Sequence, residues 1–324
     1  MEAMTADTLR PAEIDTFYFI GMTTEKSSIM KVFPRWAEHL GLGEVKIQGI
    51  NCKWHDDPEV YRKVLSFIKE DPRSLGGLVT THKLVILSAG RDLCDRLDEN
   101  ADILGEISCI SKREGEYWGH AKDPITSGLS LEAIVDRDYW SRSGGYLCNI
   151  GAGGSSLALT MYVMKNIPVE QGPKKIVVTN RSLPRLEGMK KIHARLNPGY
   201  EVEYHHCPEP KDNDRIVDDL PEGSMVVNAT GLGKDAPCSP LTNAVQFPKN
   251  GVVWEFNYRG DLLFLEQARA QQKEKNLNVA DGWIYFIHGW TRVIAEVFNI
   301  DVPTSGPEFD ALLHIASEAR KETK

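Results

Sequence analysis

Two charged side chains stand where α/β proteins place their chemistry. Lys83 closes GGLVTTHK (76–83), just after the run Leu78-Val79-Thr80. A lysine at the C-terminal end of a parallel strand faces the crevice in which such sheets bind ligands. Asp123 closes GHAKD (119–123), at the head of a helical stretch. An ammonium and a carboxylate in one crevice can move a proton to or from a substrate hydroxyl. Lys83 can serve as a base near neutral pH only if partial burial disfavours its charge. Asp123 would favour that charge, which leaves it the alternative of orienting the hydroxyl. Each residue alone also looks like a surface charge or a helix cap, so the surrounding elements decide.

The strongest of these is a glycine turn in mid-chain. The apolar run 146–150 feeds into GAGGSS (151–156), and an apolar-periodic segment follows over 157–164. Strand, glycine turn and helix start form the arrangement that seats a dinucleotide pyrophosphate on a helix N-terminus. Gly151 permits the tight turn, Gly153 the close approach of phosphate, and Gly154 with Ser155 close packing of helix on strand. Ala152 separates the glycines. The spacing is GxGG, which alone is a weak motif. A second β-branched strand, KKIVVT (174–179), ends where the ribose-reading residue belongs. There the chain carries Asn180-Arg181-Ser182 and Arg185 instead of an acid. A carboxylate would repel a 2′-phosphate, whereas two guanidiniums can hold one. The residues therefore point to NADP over NAD.

Length and composition agree with a two-domain enzyme. The 324 residues are 41% hydrophobic and 26% charged, with a formal net charge of -8. That charge argues against a nucleic-acid partner, and no 18-residue apolar run offers a membrane span. The acidic N-terminus is no secretory signal, and six cysteines without a CxxC pair fit a reducing, cytoplasmic setting without structural zinc. His205 and His206 are adjacent on a strand and point to opposite faces, so they cannot share a metal. Oligomeric state is open between monomer and homodimer. Strands are expected at 16–21, 46–52 and 75–80, with helices at 28–40 and 58–70. Asp56 and Asp57 before Pro58 supply the cap for the second helix. A hairpin follows at 106–112 and 117–120, then one helix over 125–139. The second block should hold strands at 146–150, 175–179, 201–205, 225–228 and 252–256, and helices at 283–298 and 307–321 close the chain. Lys211-Asp212-Asn213-Asp214 reads as a solvated loop. Among Trp36, Trp54, Trp118 and Trp140, three should be core.

The order of motifs resembles the shikimate/quinate dehydrogenase family over nearly the whole chain. Gly21 followed by Ser27 is similar to that family's opening substrate loop. GGLVTTHK resembles its segment ending in the catalytic lysine, and GHAKD its Gly-x-Asn-Thr-Asp segment. GAGGSS and TNRSLPR (179–185) resemble its nucleotide loop and NADP-type arginine motif. VVNATGLG (226–233) resembles the segment that passes the nicotinamide. VWEFNYRG carries Tyr258 where the family has a tyrosine, and DGWIYFIHGW resembles the start of its C-terminal helices. The resemblance implies two α/β domains. Residues 1–124 plus 283–324 would form a substrate-binding domain with a mostly parallel sheet. Residues 125–282 would form a Rossmann-type NADP-binding domain, with the active-site cleft between the two. It implies Lys83 and Asp123 as the proton-transfer pair, and Ser27, Thr80, Thr81, Ser108, Tyr258 and His288 as substrate-binding residues. Gly151, Ala152, Gly153, Gly154, Ser155, Asn180, Arg181, Ser182, Arg185, Asn228, Thr230 and Gly231 would hold the cofactor.

The departures fall on the substrate side. The family's second substrate-loop serine is Ile29, its substrate-binding asparagine is Ser108, and its Asn-Thr pair is Ala121-Lys122. Thr81-His82 occupy the turn where the family has proline, and His288 falls at or beside a position usually held by glutamine. Glu106, Lys122 and His288 could supply new polarity. Loss of a carboxylate-binding hydroxyl disfavours shikimate. The expected substrate is a small polar cyclic compound, a cyclitol or hydroxy acid with a secondary alcohol or ketone. The alternatives are a true shikimate/quinate dehydrogenase, a methylenetetrahydrofolate dehydrogenase on a related scaffold, and an NADP(H)-binding sensor without turnover.

Overall fold

The computed structural model describes residues 2–196, 199–233 and 237–321. They cluster into two compact units, Met1–Lys122 with Gly289–Lys324, and Asp123–His288.

The first unit is built on a six-stranded sheet. Its strands are β1 (Asp15–Gly21), β2 (Val45–Asn51), β3 (Ser74–Val79), β4 (Arg96–Leu97), β5 (Cys109–Arg113) and β6 (Glu116–His120), in the order β2-β1-β3-β5-β6-β4. The β2-β1-β3 core is parallel, and the β5–β6 hairpin adds to it antiparallel. β1 is apolar almost throughout because both its faces are covered, as central parallel strands are. Phe17, Tyr18, Phe19 and Ile20 are all buried. Helices α1 (Ile29–His39) and α2 (Pro58–Glu70) connect the parallel strands, with α3 (Lys83–Gly90) and α4 (Glu99–Leu104) between β3 and the hairpin. Asp57 caps α2 by accepting from Glu59 N at 2.9 Å, with Pro58 at the first position. Trp36 on α1 donates to Leu312 O at 2.9 Å, which ties the C-terminal helix to this unit. Trp36 and Trp140 are core residues, Trp118 is half-buried and Trp54 is exposed.

The second unit opens with α5 (Asp123–Ile134) and α6 (Tyr139–Ser143) and then holds a wholly parallel sheet. The expected single helix over 125–139 is two. Asp136-Arg137-Asp138 interrupts it, because aspartate serves helix caps better than helix interiors. Arg142 pairs with Asp138 at 2.7 Å in the next turn. The strands are β7 (Leu147–Ile150), β8 (Ile176–Asn180), β9 (Val202–His206), β10 (Met225–Asn228), β11 (Val252–Glu255) and β12 (Asn278–Ala280), ordered β12-β11-β10-β7-β8-β9. Numbered within the unit and read from the other edge, that is the doubly wound order 3-2-1-4-5-6 of a Rossmann domain. Its crossovers are α7 (Gly154–Asn166), α8 (Leu183–Leu196), α9 (Pro210–Asp218) and α10 (Leu263–Lys275). Then α11 (Trp283–Phe298) and α12 (Pro307–Lys321) close the chain.

Residues 211–214 are not a solvated loop; they lie in α9. Glu209 and Asp212 form a capping box at its start. Asn213 and Asp214 are buried, because Thr179 and Thr242 donate to them at 2.6 and 2.5 Å.

Within α8, His193 is buried between the Thr160 hydroxyl at 2.8 Å and the Tyr204 hydroxyl at 2.6 Å. Burial lowers its pKa from 6.5 to about 4, so the folded chain holds it neutral where the unfolded chain would protonate. Its contribution to stability is therefore complete above pH 6.5 and is lost as pH falls from there toward 4. The loss is on the order of 3 kcal/mol for a shift of this size. Urea midpoints compared at pH 7.5 and pH 4.5 should fall more steeply for the parent than for His193→Asn, which removes the titration. Equal slopes would show that another group sets the acid limit.

Candidate active site

In the first unit the candidate residues gather at the carboxyl ends of β1 and β3. Thr80 donates its backbone N–H to Ile20 O at 3.1 Å, and a Cβ on Gly21 would lie 2.9 Å from the Thr80 methyl. The loop from Gly21 to Ser27 is pinned by buried Thr24, whose N–H and hydroxyl both donate to Asn51 Oδ1, at 2.9 and 2.8 Å. Ser27 is half-buried. Ile29 points elsewhere: it is fully buried in the core with Val32, Phe33 and Trp36. A residue without any exposed surface does not wall a ligand space.

After Thr80 the chain turns through exposed Thr81 and buried His82 into Lys83, the first residue of α3 and half-buried. His82 takes over the turn. Its Nε2 lies 3.1 Å from Cys52 O and its Nδ1 3.3 Å from the Tyr61 hydroxyl. A carbonyl only accepts, so Nε2 carries the proton; burial lowers the pKa and keeps the ring neutral. The imidazole thus bolts the lysine-bearing turn to the loop after β2, a role that residue type alone does not disclose. Ile107 N donates to Lys83 O at 3.2 Å and Val79 N to Ser108 O at 2.9 Å, which brings the segment leading into the hairpin alongside.

Ser108 is 3% exposed, and its hydroxyl accepts from Lys122 N at 2.8 Å. Ser108 N donates to His120 O, and Asp98 Oδ1 accepts from Ala121 N at 3.2 Å. The residues leading up to Asp123 are therefore held. Ser108 serves this segment by shaping it. The Lys122 ammonium is engaged too, since it pairs with Glu296 at 2.6 Å, beside Arg113 at 2.7 Å from the same carboxylate. Burial raises the Glu296 pKa, but the Lys122 hydrogen bond and the surrounding cations outweigh it and the net shift is downward. Glu106 is buried.

In the second unit Asp123 opens α5 and is 8% exposed. Tyr258 packs its ring 4.7 Å from Phe286 and 5.5 Å from Trp283. His288 is buried on α11.

The glycine turn sits at the point where strand order reverses, between β7 and β10. Gly151 has φ +114°, and a Cβ there would come 2.9 Å from Ala229 O, so only glycine fits. Gly153 is the N-cap of α7, and a Cβ on it would meet open space, with Arg185 Nη1 nearest at 3.9 Å. Ala152 and Gly153 are half-buried, Ser155 likewise, and Gly154 is exposed. Open space over a glycine N-cap beside a guanidinium fits a pyrophosphate on a helix N-terminus. At the end of β8, Asn180 Nδ2 donates to Ser182 O at 3.1 Å and shapes the turn. Arg181 and Arg185 are exposed. Positions 180–185 carry no carboxylate, as a 2′-phosphate requires.

Asn228 is fully buried and points into the protein: its amide donates to Glu255 Oε2 at 2.5 Å, and its Oδ1 accepts from the Thr230 N–H and hydroxyl at 3.1 and 2.6 Å. It shapes residues 228–231, of which Thr230 is half-buried and Gly231 exposed. Glu255, which residue type does not single out, is thus what holds the Asn228 amide.

No protein-family model matches the chain. Curated relatives do. The NADP-dependent shikimate dehydrogenase of Lactococcus lactis is 26% identical over 237 residues, 72% of this chain and 78% of that protein. That of Streptococcus thermophilus is 25% identical over 182 residues, 56% of this chain and 59% of that protein. The chain is thus similar to NADP-dependent shikimate dehydrogenases over much of its length. Its fold agrees: shikimate dehydrogenase from Aquifex aeolicus superposes with a TM-score of 0.68 at 19% identity, covering 97% of this chain and 100% of that one. The 5-ketofructose reductase of a Gluconobacter strain superposes with a TM-score of 0.66 at 16% identity, covering 94% and 99%. This shikimate dehydrogenase-like fold therefore also carries a reductase named for another substrate. Among the described residues, no group of metal-ligating side chains could hold an ion, and no helix is long and apolar enough to cross a membrane.

Proposed function

We propose that the protein is an NADP-dependent oxidoreductase acting on a secondary alcohol or ketone of a small polar cyclic substrate, shikimate-like or cyclitol-like. The observation that carries this reading is the glycine turn at the strand-order reversal, open above Gly153 and flanked by Arg181 and Arg185 without an acid. The bound cofactor supplies a hydride acceptor in one direction and a hydride donor in the other.

The chain's own residues account for the remaining chemistry. Oxidation of a carbinol releases one hydride and one proton. Lys83 in its neutral form takes the hydroxyl proton and becomes an ammonium; in the reverse direction it returns that proton to the alkoxide. Asp123, set at the head of α5, orients the hydroxyl or relays the proton. Ser27, Thr80 and Thr81 offer hydroxyls to the ring, and Tyr258 and His288 complete the substrate set. Residues 1–124 with 283–324 serve the substrate, and residues 125–282 serve the cofactor. The protein acts as a cytoplasmic monomer or homodimer.

The substrate loop has a serine at only one of the two alternating positions that the resemblance assigns to the carboxylate, Ser27 and not Ile29, and Ser108 is already spent on Lys122 N. A carboxylate would have fewer donors here. Shikimate is expected to turn over with a kcat/KM about a hundredfold or more below that of the preferred cyclic alcohol, because a hydrogen-bonding site discriminates steeply when partners are missing. Reduction of NADP+ followed by its absorbance change over shikimate, quinate, inositols and deoxy-cyclitols checks both claims. Turnover of shikimate at the level of the related enzymes would make this a true shikimate dehydrogenase, with Ile29 and Ser108 tolerated. Tight NADPH binding without turnover of any alcohol or ketone would make it a sensor.

A further inference from the structure

Glu255 ends β11 beside Asn228, which ends the neighbouring parallel strand β10. Its side chain is fully buried. Oε1 accepts from Asn257 N at 2.8 Å and Asn257 Nδ2 at 2.7 Å, and Oε2 accepts from Asn228 Nδ2 at 2.5 Å. The same Asn257 amide lies 3.2 Å from Thr230 O and 3.3 Å from Leu232 O. Asn228 Oδ1 takes the Thr230 N–H and hydroxyl, and Thr230 Oγ1 in turn takes the N–H of Leu232 at 3.2 Å. One carboxylate thus sits at the root of the hydrogen bonds that give residues 228–232 their shape. All three of its partners are donors, so only the ionised, acceptor-only form satisfies them. A fully buried carboxylate is costly unless its position is worth keeping.

We propose that Glu255 is a positioning residue for the nicotinamide end of the cofactor: its ionised carboxylate, acting through Asn228 and Asn257, holds residues 228–232 in the shape on which that end of the molecule rests. This rests on the NADP reading above and adds to it a residue that touches no cofactor atom itself. Burial pushes the Glu255 pKa from 4.5 up to about 7, against the pull of its hydrogen bonds; Asp281, before α11, pushes it the same way. Protonation near neutrality replaces one acceptor with a donor that faces only donors, and the segment loosens.

The test compares two ligands that share the 2′-phosphate end. NADPH reports on both ends of the site, and adenosine 2′,5′-bisphosphate only on the Arg181 end. Both dissociation constants are measured by calorimetry on the full chain across neutral pH. In Glu255→Gln an amide NH2 meets the same donors. NADPH should bind about tenfold more weakly, the effect of losing a hydrogen bond to a buried charge, while the bisphosphate is unaffected. As pH falls through the Glu255 pKa of about 7, the ratio of the two constants should move against NADPH further in the parent than in the variant, and that difference is the quantity read. The 2′-phosphate titrates in both ligands and cancels; the 5′-phosphate monoester of the bisphosphate titrates in that ligand alone, equally for parent and variant, and cancels in the difference between the two proteins. If Glu255→Gln loses the bisphosphate as well, its fold has failed. Thr230→Val, a half-buried change one hydrogen bond further out, then decides by the same ratio. Equal ratios and equal pH profiles in parent and variants would overturn the role of Glu255 and leave the cofactor reading intact. A parent that binds neither ligand would overturn both.

Discussion

Lys83→Ala should lower kcat by roughly a thousandfold, the middle of the range for a positioned general acid–base group, while the dissociation constant for NADP stays within about twofold. The asymmetry follows from where the residue sits. Lys83 opens α3 behind a turn that the buried His82 ring fixes to Cys52 O and the Tyr61 hydroxyl. Every residue assigned to the nucleotide lies on another sheet, beyond β7, β8 and β10. Removing the amine deletes the acceptor for the hydroxyl proton and nothing that holds phosphate or ribose. Lys83→Arg makes the complementary case: a guanidinium stays protonated throughout the accessible pH range, so it can retain charge but cannot take a proton. Its kcat should fall nearly as far as that of the alanine variant, with KM closer to the parent. Stopped-flow hydride transfer with the preferred alcohol measures both. A near-normal kcat in Lys83→Ala would remove the lysine from the mechanism and leave Asp123 as the proton acceptor. Recovery of full rate in Lys83→Arg would make the group an electrostatic anchor for substrate instead.

How much of this is legible in the sequence depends on how local the cause is. The turn at Gly151 was readable because a short apolar strand, a compulsory positive φ and a helix start are consecutive, and each leaves its own mark on residue type. α2 was readable for the same reason, since Asp57 and Pro58 are the cap and first residue of one helix. α9 was not. Its Lys-Asp-Asn-Asp run looks like solvent-facing charge, and what buries Asn213 and Asp214 is Thr179, Pro240 and Thr242, each about thirty residues away. Only the Glu209–Asp212 spacing of a capping box, with Pro210 at the first helical position, could have found it. Ile29 is a different case. Its alignment with a serine is local, but which way the side chain faces depends on the phase of α1, and that phase leaves it fully buried. Glu255 and Glu296 escaped because a carboxylate at a strand end or on a helix is unremarkable by type. Their partners Asn228, Lys122 and Arg113 come together with them only when parallel strands pair and α11 folds back.

The two arginines at the end of β8 should separate by cofactor. Both are exposed on the 181–185 stretch, yet only Arg185 reaches the glycine turn, with Nη1 3.9 Å from the point where a Gly153 Cβ would be. Arg181 follows the end of β8 with its carbonyl 3.1 Å from His206 Nε2, which ties its backbone to β9 just past the strand end where a Rossmann domain carries its ribose-reading residue. Arg181→Ala should therefore weaken NADP by about a hundredfold, the effect of removing one charge-assisted bidentate pair of hydrogen bonds, and leave NAD nearly unchanged. Arg185→Ala should weaken both, because a guanidinium over the turn also meets the pyrophosphate that the two cofactors share. The difference between the two variants in NADP-to-NAD preference is the measured quantity, taken from dissociation constants of both oxidised cofactors at one salt concentration, since exposed charge pairs are screened. Arg181→Ala losing NAD in parallel would move that residue off the 2′-phosphate and onto the shared part of the molecule. Arg185→Ala losing NADP alone would place both guanidiniums on the 2′-phosphate and leave the pyrophosphate to the N–H groups at the start of α7. Arg181→Asp adds the decisive sign. A carboxylate at that position repels the 2′-phosphate and can accept from a free ribose hydroxyl. The variant should prefer NAD outright if β8 ends where the cofactor's ribose lies.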